Sequence, residues 1–322
     1  MLNLMYKKYY SLWGLAAVLL LALALYLFYL LPNRWEYALH HRMLSLAAII
    51  LTGAAIALAA MIFQTLVNNR ILTPSILGLD SLYLLIQTLI IFLFGSKTLQ
   101  SIDPVLLFLA STGVMMLFAL GLYRFLFKGE HQNIFFLLLV GIICGTFFQS
   151  MTTFMEVLID PNEFQIAQDI GFASFNRINT EILWVALAIL LFAILYAYRY
   201  LPYLDVLALG RENAINLGVS YAQISKRLLI IVAVLTSVST ALVGPLTFLG
   251  LLVMNLTFEF IRDYRHRILI PAAICIAVIT LCVGQVLVSR VFSFNTTLSI
   301  IINFVGGSYF IYLLLRTSKK WQ

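Results

Sequence analysis

Charge is what this sequence has least of. Lys, Arg, Asp and Glu together supply 10% of the 322 residues, while 63% are apolar. A soluble domain carries ~25% charge and ~45–50% apolar residues, so too little polar surface is left here to face water. Strand-like alternation is also missing, which excludes a closed β-barrel, the other fold that satisfies its own backbone in lipid. Cysteine is scarce. Cys144, Cys275 and Cys282 lie in apolar stretches, and the last two are two helical turns apart, roughly 10 Å by helical rise, too far to bond. A disulfide framework is excluded.

Chemistry-bearing motifs are absent as well. No G-x-x-x-x-G-K-[ST] loop cradles nucleotide phosphates, and neither H-E-x-x-H nor a G-x-S-x-G elbow occurs, so the chain reads as a non-enzyme. The histidines, His40, His41, His131 and His266, fall in loops or at span ends without metal-ligand spacing. Asp80 and Glu181 sit at span edges, and the span centres hold no charge. Ion-coupled carriers build their relays from such residues. A transporter made this way would draw its work from another subunit.

What remains is long apolar runs. Ten candidate spans cover about 11–31, 43–66, 79–94, 104–126, 133–155, 181–201, 228–243, 245–258, 268–288 and 298–315. The first is too long for a signal-peptide core and reads as a retained span. The stretch 228–258 is too long for one crossing, and Gly244-Pro245 breaks it into a hairpin. Basic flanks at both ends, Lys226-Arg227 and Arg262, Arg265 and Arg267, favour the even number of crossings a hairpin supplies.

The net charge of +7 would suggest a nucleic-acid partner in a soluble protein; here it reflects basic loops. With ten spans, fifteen of the 20 Lys and Arg fall inside and five, Arg34, Arg42, Lys97, Arg177 and Arg290, fall outside. The expected fold is therefore an all-α integral membrane protein. It has ten transmembrane helices, both termini cytoplasmic, and a single transmembrane domain over residues 1–322. The external loop at about 156–180 carries Glu156, Asp160, Glu163 and Asp169; it reads as a lid or docking surface, or simply as a solvated loop.

Two segments carry positive signals. Thr146, Gln149, Ser150 and Thr153 fall within an arc of roughly 100° on the fifth span. Such a stripe lines a water-filled pathway or glues packed helices together. Leu209 through Val219 forms a short run of helix formers bracketed by Gly210 and Gly218. Leu209, Asn213, Ala214 and Leu217 share one side of it, and Arg211 and Glu212 another. It reads as a docking knob or a connecting turn.

These residues carry a resemblance. Gln64 with Asn69-Arg70-Ile71-Leu72-Thr73-Pro74 and Leu77-Gly78, and Leu209-Gly210 through Leu217-Gly218-Val219, are similar to signatures of the permease subunits of ABC importers for iron chelates and vitamin B12. Gly244-Pro245-Leu246-Thr247-Phe248-Leu249-Gly250-Leu251, His266-Arg267 with Pro271, and Gly306 to Leu314 resemble three further signatures of that family. Arg70, Met254-Asn255 and Ser308 depart from its prolines and its Pro-His, and the run Asn68 to Tyr83 most resembles the ferric siderophore branch, including catecholate types.

The resemblance implies inverted repeats and a place in a bacterial cytoplasmic (inner) membrane. It implies a second, related permease, a cytosolic ABC ATPase dimer that holds ATP and Mg while this chain holds no cofactor, and an extracytoplasmic siderophore-binding protein. Leu209, Gly210, Arg211, Glu212, Asn213, Ala214, Leu217 and Gly218 would contact the ATPase. Thr146, Gln149, Ser150 and Thr153 would line the pathway, with Asn69, Gln132 and Asn133 at its cytoplasmic gate. Arg34, Arg42, Arg177 or Arg290 would meet carboxylates of the binding protein, or only anchor lipid headgroups. Cobalamin or haem as cargo, and an ion-driven secondary carrier, are the alternatives.

Overall fold

The structure, a computed structural model, describes residues 2–28, 35–126, 134–176, 178–292 and 296–318. Arg34, Arg177, Gln132 and Asn133 lie outside the described residues. Every regular element among those described is helical: α1 (Leu2–Phe28), α2 (Trp35–Val67), α3 (Leu79–Phe94), α4 (Ser96–Ser101), α5 (Pro104–Leu126), α6 (Ile134–Leu158), α7 (Pro161–Ile170), α8 (Thr180–Tyr198), α9 (Leu201–Leu207), α10 (Arg211–Asn216), α11 (Tyr221–Val243), α12 (Leu249–Phe260), α13 (His266–Arg290) and α14 (Leu298–Ser318). Six of them, α2, α5, α6, α8, α11 and α13, are long and apolar enough to cross a membrane. Four more, in α1, α3, α12 and α14, are apolar but shorter. Each of the ten expected segments falls on one of these ten helices.

The bundle is layered. The helix α2 forms its centre, packed closely against both α11 and α13, with α1 laid on α13, α5 and α8 on α11, and α6 on α3. Small residues make the centre tight: Ala48, Ala55, Ala57, Ala59 and Ala60 of α2 and Ala272, Ala273 and Ala277 of α13 are fully buried. In lipid, where helices gain little from hydrophobic burial, such close backbone approach is what holds them together.

The break at Gly244-Pro245 has a local cause. Gly244 adopts φ +99, and an added Cβ would lie 3.0 Å from the Ala173 Cα, while the Val243 carbonyl accepts from the Ser174 amide at 2.8 Å. Glycine is required by both conformation and space. The segments expected as loops are partly helical. Within 156–180, Asp160 caps α7 by accepting from the Asn162 amide, with Pro161 in the first turn; this is the usual chemistry of a helix start. Within 202–227 the chain forms α9 and α10 and begins α11.

The connection from α2 to α3 is where the fold departs most from expectation. The Tyr221 hydroxyl at the start of α11 donates to the Leu66 carbonyl at 3.5 Å, so α11 begins where α2 ends. Thr240 lies about 28 Å further along α11 by helical rise, and its hydroxyl donates to the Asp80 carboxylate at 2.8 Å. Between Asn69 and Asp80 the chain thus climbs back into the bundle, through an extended stretch and a 3₁₀ turn at Pro74–Leu77, and α3 starts inside. The reading of Asp80 as a span-edge residue, and of the span centres as free of charge, is corrected. The carboxylate is internal because the apolar run from 79 begins in the interior, not at a surface.

Candidate functional site

Three features collect the residues singled out above. The first is a groove of about 750 Å³ on the outer face of α6, lined by Thr146, Gln149, Ser150, Thr153, Ser75 and Ser81 among others. All four stripe residues are exposed. Their hydroxyls are partly satisfied by their own helix: Thr146 donates to the Ile142 carbonyl at 2.8 Å and Ser150 to the Thr146 carbonyl at 2.9 Å. Back-bonding of this kind lets hydroxyls stand on a helix far from water. Gln149 brings an amide with two donors and an acceptor to the groove wall.

The opposite wall is the re-entrant turn, and glycines set its distance from α6. Gly78 adopts φ +78, and an added Cβ there would lie 2.8 Å from the Gly145 Cα; a Cβ on Gly141 would lie 3.0 Å from the Ile76 carbonyl oxygen. The turn therefore rides directly on the Gly141-x-x-x-Gly145 backbone, which is how Ser75 and Ser81 come level with the α6 stripe. Sequence reasoning passed over Gly141 and Gly145, although G-x-x-x-G spacing in an apolar helix is a packing signal in its own right. Behind the turn, a cavity of about 20 Å³ is lined by Thr73, Ser75, Asp80, Thr236, Ser239, Thr240 and Thr247.

The second feature is the α9–α10 knob. Gly210 (φ +92) and Gly218 (φ +83) bracket α10 in left-handed conformations, and the Asn213 amide donates to the Leu209 carbonyl at 2.8 Å. Leu209, Ile215 and Leu217 are exposed at 56%, 48% and 63%, an apolar cluster on a short polar helix. Arg211, Glu212, Asn213 and Gly218 are exposed beside it. Ala214, expected on the side of Leu209 and Leu217, is fully buried and faces the chain's own bundle; Ile215 stands in the exposed cluster instead. Asn69 lies at the same end, where its side chain accepts from the Ile71 amide at 2.9 Å and the Gln64 amide donates to the Arg70 carbonyl at 2.9 Å. Its neighbour Asn68 abuts Gly210.

The third feature is a vestibule of about 800 Å³ at the opposite end. His41, Arg42, Asp169, Asn176, Gln285 and Arg290 line it. Arg42 donates to the Leu27 carbonyl at 2.7 Å, and Gln285 donates to Asn176 at 2.7 Å. Two of the four arginines expected to serve docking thus share one cavity.

The sequence profile of the FecCD transport family matches residues 26–316. The chain is 57% identical over 308 residues, 96% of each chain, to the petrobactin import system permease protein YclO of Bacillus subtilis. It is 36% identical over 275 residues, 85% of this chain and 78% of the other, to the petrobactin import system permease protein FatC of Bacillus anthracis. Both organisms also have a second, less similar permease of a system bearing that same name. A solved structure described as an inward-facing conformation of a metal-chelate type ABC transporter superposes with a TM-score of 0.82 at 20% identity, covering 96% of this chain and 99% of that one. The fold is that of ABC permeases, and the molecule is a multi-pass membrane protein.

Proposed function

The chain belongs to the FecCD transport family, and on that footing we propose that it is the permease subunit of an ATP-driven importer of iron–siderophore complexes. The observation that carries this reading is the groove where Thr146, Gln149, Ser150 and Thr153 meet Ser75 and Ser81 on an otherwise apolar outer surface. Turned toward hydrocarbon, the Gln149 amide above all would be costly, since the back-bonding that satisfies Thr146 and Ser150 is not open to it. Against a second permease they wall a pathway that water can enter. A large chelate held by many weak contacts suits walls without fixed charge, because conduction requires release as well as capture. The two Bacillus relatives are named for petrobactin import, which supports petrobactin, or another siderophore of catecholate type, as the cargo.

In this reading all ten apolar helices cross a bacterial inner membrane as inverted repeats of one domain over residues 1–322. Both termini and the α9–α10 end are cytoplasmic, in keeping with the basic residues gathered there. The exposed Leu209, Ile215 and Leu217, with Arg211, Glu212, Asn213 and Gly218, form the surface on which an ATPase dimer docks, and ATP and Mg belong to that dimer. Asn69 stands at the cytoplasmic gate, for which Gln132 and Asn133 are further candidates by sequence. Arg42 and Arg290 receive carboxylates of an extracytoplasmic binding protein in the vestibule, with Arg34 and Arg177 as further docking cations.

The test is purification from native membranes with identification of every bound subunit, paired with uptake of radioactive iron as ferric petrobactin in cells lacking the chain. An ATPase and a second permease are expected to co-purify, and uptake is expected only when the chain is restored. A chain isolated alone, transporting in ATP-free vesicles under an ion gradient, would overturn the reading.

A further inference from the structure

We propose that Asp205, His266 and Thr65 are positioning residues that tie the α9–α10 knob rigidly to α13 and α2, so that displacement of the knob is delivered to the two central helices. The proposal rests on the coupling reading above and names the residues through which coupling passes. Asp205 lies in α9 beside Leu204, and Leu204 and Leu207 are buried in the bundle. Its carboxylate accepts twice from His266, from the backbone N–H at 2.9 Å and from ring Nδ1 at 2.6 Å.

That backbone N–H opens α13, and the first N–H groups of a helix have no partner within it. An acid from another element fills the vacancy, where the helix dipole also favours negative charge. The bond therefore fixes α9 to the very end of α13. The His266 side chain is 4% exposed, and its ring Nε2 lies 2.9 Å from the Thr65 hydroxyl of α2. The hydroxyl in turn lies 2.8 Å from the Met61 carbonyl.

Hydrogen-bond accounting shows why a histidine stands here. Nδ1–H points at the carboxylate. If the Thr65 hydroxyl donates to Met61, Nε2 must donate to Thr65, and the ring is an imidazolium paired with Asp205. If the hydroxyl turns to Nε2, the ring is neutral. The chain of contacts from α9 through α13 to α2 is continuous either way, and only a side chain with polar atoms on opposite edges of a rigid ring bridges both neighbours. A loop attached through flexible apolar contacts would absorb a push from outside. A chain of polar groups closed around the buried His266 ring, whose nitrogens are costly to leave unpaired, transmits it. The knob's other ties run to the same place, with Tyr221 on the Leu66 carbonyl and Arg211 over the Tyr221 ring at 5.9 Å.

The test uses the assembled transporter, with both permeases, ATPase and binding protein, in proteoliposomes. Thr65→Val removes the hydroxyl with little change of shape, Asp205→Ala removes the acceptor of both His266 bonds, and Thr65→Ser retains the hydroxyl. The readout is ATP hydrolysed per iron chelate delivered, with subunit content and thermal midpoint measured on each sample. Thr65→Val and Asp205→Ala are expected to keep the ATPase bound and hydrolysing while raising that ratio about tenfold, the scale set by leaving a buried polar group unpaired. Thr65→Ser should behave as the parent, and the double variant should be no worse than either single one, as expected for groups acting in series. An unchanged ratio in both single variants, or uptake lost only in proportion to lost assembly, would overturn the proposal. Failure of the docking reading shows itself separately: the ATPase would then stay bound to Leu217→Asp.

Discussion

Asp80 shows how one residue can be misplaced by a sound rule. Apolar runs usually begin at a membrane surface, so a carboxylate second in the run 79–94 reads as interfacial. The rule fails because the preceding eleven residues re-enter the bundle, and nothing in hydropathy records that climb. In place, the carboxylate accepts from Thr240 at 2.8 Å and sits in the first turn of α3, where the helix N-terminus favours an anion. Thr240→Val should therefore cost ~1–3 kcal/mol, the penalty of removing a donor from an enclosed polar group, and lower the thermal midpoint of the purified protein. Asp80→Asn, which retains an acceptor for the hydroxyl, should cost less. The finding also removes one line of sequence argument. With a carboxylate inside the bundle, lack of internal charge no longer speaks against ion coupling, and the proposed dependence on ATP rests on family membership.

The elements were legible where chemistry is local. All ten apolar helices coincide with runs visible in the sequence, the hairpin at Gly244-Pro245 follows from backbone chemistry, and Gly210 and Gly218 mark the limits of α10. What sequence patterning missed depends on pairs of distant segments. The seat of the re-entrant turn on α6 is the clearest case, since it needs Gly78, Gly141 and Gly145 at once. Gly145→Val puts side-chain atoms where the Gly78 Cα lies 3.1 Å from even a Cβ. It should cost ~1–3 kcal/mol through overpacking and widen the groove. Gly113 of α5 is the control, with open space around an added Cβ. Gly113→Ala should be neutral or stabilising by up to ~1 kcal/mol through helix propensity. Thermal midpoints of the two variants, measured side by side, separate close packing from a general intolerance of side chains at glycine.

At the scale of the molecule, the outer surface is not uniform. On α8 the exposed large residues are Trp184, Leu191, Phe192, Leu195, Tyr196 and Tyr198, an apolar and aromatic face of the kind that meets lipid. On α6, Phe147 and Phe154 stand beside exposed Thr146, Gln149, Ser150 and Thr153. A helix that met only lipid on this side would have no use for an amide there. The two faces should therefore differ in solvent. With Cys144, Cys275 and Cys282 replaced by alanine, single cysteines at Gln149 and Thr153 should react with a membrane-impermeant maleimide in the assembled transporter, while a cysteine at Phe192 should stay protected. Reactivity at Gln149 and Thr153 should also change between the ATP-bound and nucleotide-free states, since a pathway that alternates between two sides cannot expose the same wall equally in both. Protection at both positions in every state would mean that the stripe packs against another helix as polar glue, and the groove would then be an interface without a passage.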